Sequence, residues 1–316
     1  MICACIDIGT NTTRVLVADA RGGRLSEVLQ RRAFTRIGRD IDASGRIGDA
    51  KIAEVARVVA EQRRLAEQAG AGPLRVVATG AIRTAANGDE LLRAVREAGG
   101  VDVHLLDGEE EARLAFVGAT RTAARPLGGR VGVVDVGGGS TEIGIGTVAQ
   151  GMHWSTSLRF GSGLLADRYL KGDPPGREEL AAVRAHAAAA LAETAPPVVD
   201  RAIAVGGSAA SLVRVVGAVL DGDALERALA VLTSAPAAEV ARRHGLDGER
   251  VRLLPAGILA LDAARERLRC PLEIGRGGLR EWIAQNLTRS SSGTLVSSTS
   301  SSTRALNCSQ DSSRLK

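Results

Sequence analysis

The sequence predicts an α/β fold in two domains, and three observations predict it. The chain of 316 residues is long enough for two domains, each with its own core. Strand-like apolar runs alternate with helix-like stretches along most of it. Two loops of one pattern, Asp7-Ile8-Gly9-Thr10-Asn11-Thr12-Thr13 and Asp135-Val136-Gly137-Gly138-Gly139-Ser140-Thr141-Glu142, each follow one strand-like run and lead into another.

The first half reads as follows. Ile2 to Ile6 and Val15 to Ala18 are strands around the first loop, and Gly22-Gly23 and Gly45 to Gly48 punctuate a loop-rich stretch. Lys51 to Ala69 is an amphipathic helix, apolar at Ile52, Val55, Val58, Val59, Leu65 and Ala66, a spacing that puts these residues on one face. Asp49 is its expected N-cap and Gly70 its C′ residue. Leu74 to Thr79 is a strand. Asn87 with Glu90 forms an expected capping box for a helix ending at Gly99-Gly100. Val103 to Leu106 is a strand, and Asp107 with Glu110 forms a second capping box for a helix reaching about Ala124.

Pro126 to Gly129 is the expected domain boundary, giving domains over residues 1–126 and 127–288. Val131 to Val134 and Ile143 to Gly146 are strands around the second loop. Met152 to Leu158 is a strand, Gly161 to Lys171 a helix, and Arg177 to Thr194 an Ala-rich helix stopped by Pro196-Pro197. Ala202 to Val205 is a strand running into Gly206-Gly207-Ser208 and a helix. Pro255 to Leu268 is helical, and Gly277-Gly278-Leu279-Arg280-Glu281 opens a last helix ending near Leu287. Residues 289–316, dominated by Ser and Thr, form an expected disordered tail.

Composition narrows the function classes. Aromatic residues are only 2% of the chain, so Ala, Val, Leu and Ile must build the cores. The net charge of +5 suits an anionic ligand. Its basic residues are dispersed among acids, with no basic tract or aromatic interleaving, which favours a small polyanion over nucleic acid. Cys3 and Cys5 alternate on a strand and Cys270 and Cys308 are isolated. No metal spacing results, so a reducing, cytoplasmic setting without structural zinc is expected. No run has the length of a membrane span, and no signal peptide is expected.

The chemistry of the two loops favours phosphate. Gly brings backbone N–H groups close to an anion, and Thr and Ser add neutral donors. Each Asp would repel bare phosphate and is better suited to a Mg²⁺ shell or a bridging water. Either loop alone reads equally well as a tight hairpin turn. The pair points to a duplicated phosphate-binding element facing one cleft.

Seven segments carry a resemblance. They are Ile6 to Thr12, Ala78 to Asn87, Gly108-Glu109-Glu110-Glu111-Ala112-Arg113, Asp135 to Glu142, Gly206-Gly207-Ser208, Leu254-Pro255-Ala256-Gly257 and Gly278-Leu279-Arg280-Glu281. In these the chain, over roughly residues 1–288, resembles the exopolyphosphatase/guanosine pentaphosphatase (Ppx/GppA) family of the actin-like ATPase superfamily. The resemblance implies two ribonuclease-H-like (actin-like ATPase) domains with a cleft between them. It implies a cytoplasmic phosphohydrolase and a homodimer. It also implies that a water attacks the terminal phosphoryl group of inorganic polyphosphate or of guanosine pentaphosphate (pppGpp).

The implied catalytic residues are Glu111, as general base or water orienter, and Arg83, as a phosphate contact. By itself Glu111 is one of three acids in a first helical turn, where the helix dipole favours them. Arg83 is by itself one arginine of many. The expected phosphate-binding set is Asp7, Gly9, Thr10, Asn11 and Thr12 in the first loop and Gly137, Gly138, Gly139, Ser140 and Thr141 in the second. Gly206, Gly207 and Ser208 join it at a helix N-terminus. Asp135 and Glu142, flanking the second loop, suit Mg²⁺. The glycine loops are shared with sugar kinases, acetate kinase and Hsp70-type ATPases. An ATP-dependent small-molecule kinase is therefore the alternative from another class, and Arg83 with Glu111 argues against it.

Overall fold

The hairpin around the first loop fixes the register of the first sheet. In the computed structural model, which describes residues 1–21 and 25–290, β1 (Ile2–Ile8) and β2 (Thr13–Asp19) pair antiparallel, with Ile8 opposite Thr13. Gly22-Gly23 and the Ser-rich stretch from residue 291 lie outside the described residues. A third strand, β3 (Ser26–Ala33), adds antiparallel to β2. It carries Glu27, Gln30, Arg31 and Arg32 rather than an apolar face, so the sequence did not mark it. β4 (Leu74–Ala78) lies parallel to β1, and β5 (Val103–Leu105) parallel to β4. The order is β3-β2-β1-β4-β5.

The second sheet repeats this plan. β6 (Val131–Val136), β7 (Thr141–Thr147) and β8 (Gly151–Leu158) form an antiparallel meander. β9 (Arg201–Val205) lies parallel to β6, and β11 (Leu272–Ile274) parallel to β9. A short edge strand, β10 (Val219–Leu220), is added antiparallel to β11. The duplicated order is the arrangement expected of two ribonuclease-H-like halves.

Helices α1 (Ile37–Ser44), α2 (Asp49–Gln68) and α3 (Gly88–Gly99) belong to the first half. Ile52, Val55 and Val59 of α2 share a core with Ile6, Val15 and Val17. Gly70 closes α2 as a Schellman turn, with Gly70 N–H donating to Glu67 O and Ala71 N–H to Ala66 O. Asp49 is not the N-cap but the first helical residue. The cap is Gly48, whose N–H is taken by Asp40 Oδ2 at 3.0 Å. Asn87 does not form a capping box either. Its buried amide clamps Ile47, accepting from Ile47 N at 2.8 Å and donating to Ile47 O at 2.9 Å. A buried amide must satisfy its own donors and acceptors first, and that demand outweighs the local cap.

In the second half α5 (Ser162–Tyr169), α6 (Arg177–Ala192), α7 (Gly206–Val216), α8 (Gly222–Leu232) and α9 (Ala237–His244) surround α10 (Gly248–Leu268). Pro255, read as the start of that last helix, lies inside it, and Asp247 caps it by accepting from Arg250 N at 3.0 Å.

Two helices cross between the halves. α4 (Gly108–Arg121) follows the first sheet in the chain, yet Ala115, Phe116 and Ala119 pack on Val131, Val133, Ile203 and Val205 of the second. α11 (Leu279–Ser290) follows the second sheet, yet Leu279 and Ile283 pack with Cys5 and Val77 of the first. The division expected at residues 126/127 therefore parts the two sheets but not the helices that cover them. The crossing helices meet at Gly118, where a Cβ would lie 2.2 Å from Gly278 O. Gly118→Ala should accordingly lower stability by about 1–3 kcal/mol, the range for overpacking a fitted contact, read as a lower denaturant midpoint.

Candidate active site

The two hairpin turns have the same backbone geometry. Gly9 N–H donates to Thr12 O at 3.0 Å, and Gly137 N–H donates to Ser140 O at 2.9 Å. The residues flanking them differ in charge: Asp7 stands opposite Arg14, whereas Asp135 stands opposite Glu142. The turns approach each other so closely that a Cβ on Gly139 would lie 2.1 Å from Thr10 Oγ1. That glycine is required by the contact between turns whatever binds there.

Between the halves lies a cleft of about 630 Å³. Of the expected phosphate-binding residues it is lined by Asp7, Gly9, Thr10, Asn11, Thr12, Gly137, Gly138, Gly139, Ser140, Gly206 and Gly207. Asp135, Glu142 and Glu111 also line it. Three expected residues stand apart from the lining. Thr141 is buried and its hydroxyl donates to Phe160 O at 2.8 Å. Ser208 is buried against Gly257 of α10. Arg83 sits behind Glu111, in the 3₁₀ turn Gly80–Thr84.

Glu111 and Arg83 are brought together from helix and turn. Arg83 Nη1 donates to Glu111 Oε2 at 2.7 Å and to Leu106 O at 2.8 Å. Arg83 Nη1 is thus engaged by a carboxylate and a backbone carbonyl. Burial pushes the Glu111 carboxyl up to about 7, against the pull of Arg83 and with the help of Asp135 and Asp7. Its neighbour Glu110 is tied elsewhere: its N–H is capped by Asp107 Oδ1 at 2.8 Å, and its carboxylate lies 3.3 Å from His104. The reciprocal half of the capping box is absent among the described residues.

The other carboxyls are raised too. Burial, then Asp7, pushes Asp135 up to about 6. Burial raises Asp7, whose Oδ1 is buried without a hydrogen-bond partner. Glu142, 2% exposed, accepts from Ser157 Oγ at 2.8 Å. Burial drives it well above the usual carboxylate range, with Glu111 and Asp135 adding to the shift. Four acids crowding one wall cannot all stay charged without cations. Among the described residues no three His, Cys, Asp or Glu side chains form a ready-made metal cluster.

A set of arginines that the sequence reading did not single out faces these acids. A Cβ on Gly207, at the N-terminus of α7, would lie 2.7 Å from Arg250 Nη2 and 3.0 Å from Arg14 Nη2. One guanidinium comes from β2 and the other from α10, so both halves converge on this helix end. Burial, then Arg280 and Arg250, lowers Arg14 to about 9. Burial, then Arg32, lowers Arg250 to about 10. Arg250 is 6% exposed with Nε unpartnered. Buried cations without counterions are costly, and an anion in the cleft would remove that cost. The position of Arg14 opposite Asp7 follows from the hairpin and was open to sequence reasoning; Arg250 carries no local signal.

Residues 16–288 match the model of the Ppx/GppA phosphatase family. Exopolyphosphatase 1 of Mycobacterium tuberculosis is 32% identical over 315 residues, covering 94% of this chain and 91% of that protein. The crystal structure of the Aquifex aeolicus Ppx/GppA family member superposes with a TM-score of 0.76 at 27% identity, covering 93% of this chain and 99% of that one. A Cytophaga hutchinsonii exopolyphosphatase structure has the same fold, with a TM-score of 0.79 at 19% identity over 92% of this chain and 98% of that one.

Proposed function

The chain belongs to the Ppx/GppA phosphatase family, and from that premise we propose that it is a cytoplasmic exopolyphosphatase releasing orthophosphate from the end of inorganic polyphosphate. The observation that carries the proposal is one buried carboxylate, Glu111, on the wall of a cleft that also holds arginines making no ion pair among the described residues.

The chemistry follows from the residues. The turn amides and hydroxyls of Thr10, Thr12 and Ser140 suit the terminal phosphoryl oxygens, and Arg14 and Arg250 suit the next units of the chain. Arg83 fixes Glu111 Oε2, and no hydrogen bond among the described residues engages Oε1. That oxygen would take a proton from the attacking water. With its carboxyl near 7, Glu111 is ionised often enough to act as a base and basic enough to accept the proton. The proton then stays on Glu111 as the phosphoanhydride bond breaks.

A divalent cation fits this wall. The donors are all oxygen, Asp7 Oδ1 lacks a partner, and the acids would otherwise repel the substrate. Asp135 and Glu142 would hold Mg²⁺, which commonly takes one or two carboxylates plus phosphate oxygens and water. When bound it would neutralise charge on the phosphoryl oxygens.

Inorganic polyphosphate is favoured over pppGpp because no Phe, Tyr or Trp lines the cleft among the described residues, so no aromatic stacking surface for a guanine is present. A homodimer is proposed on the family resemblance alone. The direct test gives the purified protein long-chain polyphosphate, pppGpp, or ATP with small acceptors, each with and without Mg²⁺. Mg²⁺-dependent orthophosphate release from polyphosphate is expected. Release from pppGpp alone, or acceptor-dependent ADP formation, would replace the reading.

The pH dependence has a definite sign. Glu111 acts when ionised, so kcat/KM should rise about tenfold per pH unit below about 7 and level off above it. Arg83 holds the carboxyl down, so Arg83→Met should move the midpoint to higher pH. A midpoint that stays put would remove Arg83 from this role.

A further inference from the structure

One more guanidinium reaches the cleft, from the helix that crosses back onto the first half. Arg280 is the second residue of α11 and lines the cleft. Its Nη1 is buried without a hydrogen-bond partner, and among the described residues Arg280 makes no ion pair. The neighbouring acid Glu281 is engaged, accepting from Gly278 N at 3.0 Å through Oε2.

The segment bearing Arg280 is held at both ends. Gly275 N–H donates to Ala204 O at 2.9 Å, extending the line of β11 along β9. Gly278 lies against Gly118 of α4, and Leu279 packs with Val77 and Leu114. Arg280 is thus delivered by a fixed scaffold rather than by a free loop. It lies close enough to Arg14 and Arg250 to lower both, and close enough to Asp7 and Asp135 to restrain their rise. A folded protein has little reason to keep an unpaired, partly buried cation beside two others unless something outside the chain pairs with it.

We propose that Arg280 is a substrate-binding residue whose guanidinium takes a phosphoryl group of bound polyphosphate, so that α11 completes the anion site begun by Arg14 and Arg250. The inference rests on the phosphohydrolase reading above and deepens it. The anion site then draws on β2, α10 and α11, and substrate ties the last helix to both halves. Arg280 also differs from a structural arginine in one respect: its removal breaks no hydrogen bond or ion pair among the described residues, and the lost attraction to Asp7 and Asp135 is offset by relieved repulsion from Arg14 and Arg250.

The test uses inorganic tripolyphosphate binding by calorimetry in the Glu111→Gln background, with Mg²⁺ held constant, alongside the melting temperature of each protein without anion. Arg280→Met should weaken binding about 10- to 100-fold, as expected for loss of a charge-assisted contact, with a melting temperature within about 3 °C of its parent's. Arg280→Lys, which keeps the charge but not the fork, should fall between the two in affinity. Binding by Arg280→Met within twofold of its parent, or a melting temperature lowered by more than about 3 °C, overturns the proposal. Failure of the Glu111→Gln parent itself to bind tripolyphosphate overturns the substrate reading beneath it.

Discussion

Glu111→Gln should lower kcat on polyphosphate by about 10²- to 10⁴-fold, the range for losing a general base, while KM changes little. The substitution is nearly isosteric, and a Gln oxygen still accepts from Arg83 Nη1, so the 3₁₀ turn and α4 keep their contact. What disappears is a carboxyl that is both raised to about 7 and held on one oxygen by a cation. Glu110→Gln, one residue earlier, is the matched control. Its carboxylate faces His104 outside the cleft lining, so turnover should stay near the unsubstituted level. Steady-state kinetics on the two variants separate a chemical role from the general favour that a first helical turn gives to acids.

The second large effect is expected at Gly206. Its φ of +85° is a conformation L side chains rarely adopt, and an added Cβ would lie 2.2 Å from Asp135 Oδ1. Gly206→Ala therefore strains the backbone by about 1–3 kcal/mol and pushes the Asp135 carboxylate aside. A displacement of that kind at a reacting centre costs on the order of 10²-fold in kcat/KM. The stability loss should appear in a denaturant melt and the catalytic loss in phosphate release. Full activity in a destabilised Gly206→Ala protein would show that Asp135 tolerates displacement, and would weaken its assignment as a cation ligand.

Much of this site was legible in the sequence because the hairpins are local. Asp7-x-Gly9 and Asp135-x-Gly137 announce their turns within a few residues, and strand pairing then dictates that Asp135 faces Glu142. The first acids of α4 could be placed on a helix start for the same reason, although choosing Glu111 among them needed the family order. What escaped was long-range. β3 is an edge strand whose charged residues hide its alternation. Asn87 serves a partner 40 residues away instead of its own helix. Arg14, Arg250 and Arg280 lie on three elements and become a group only when α10 and α11 have packed. Arg83 lies on a 3₁₀ turn 28 residues before Glu111, so its contact with that carboxylate also carries no local signal.

Phosphorus NMR of polyphosphate turned over in ¹⁸O-labelled water shows which phosphorus is attacked and where the water oxygen goes. Orthophosphate should be the sole small product and should carry the label, and Glu111→Gln should suppress its appearance. Release of internal fragments, or unlabelled orthophosphate, would contradict attack by a Glu111-activated water on the terminal phosphoryl group.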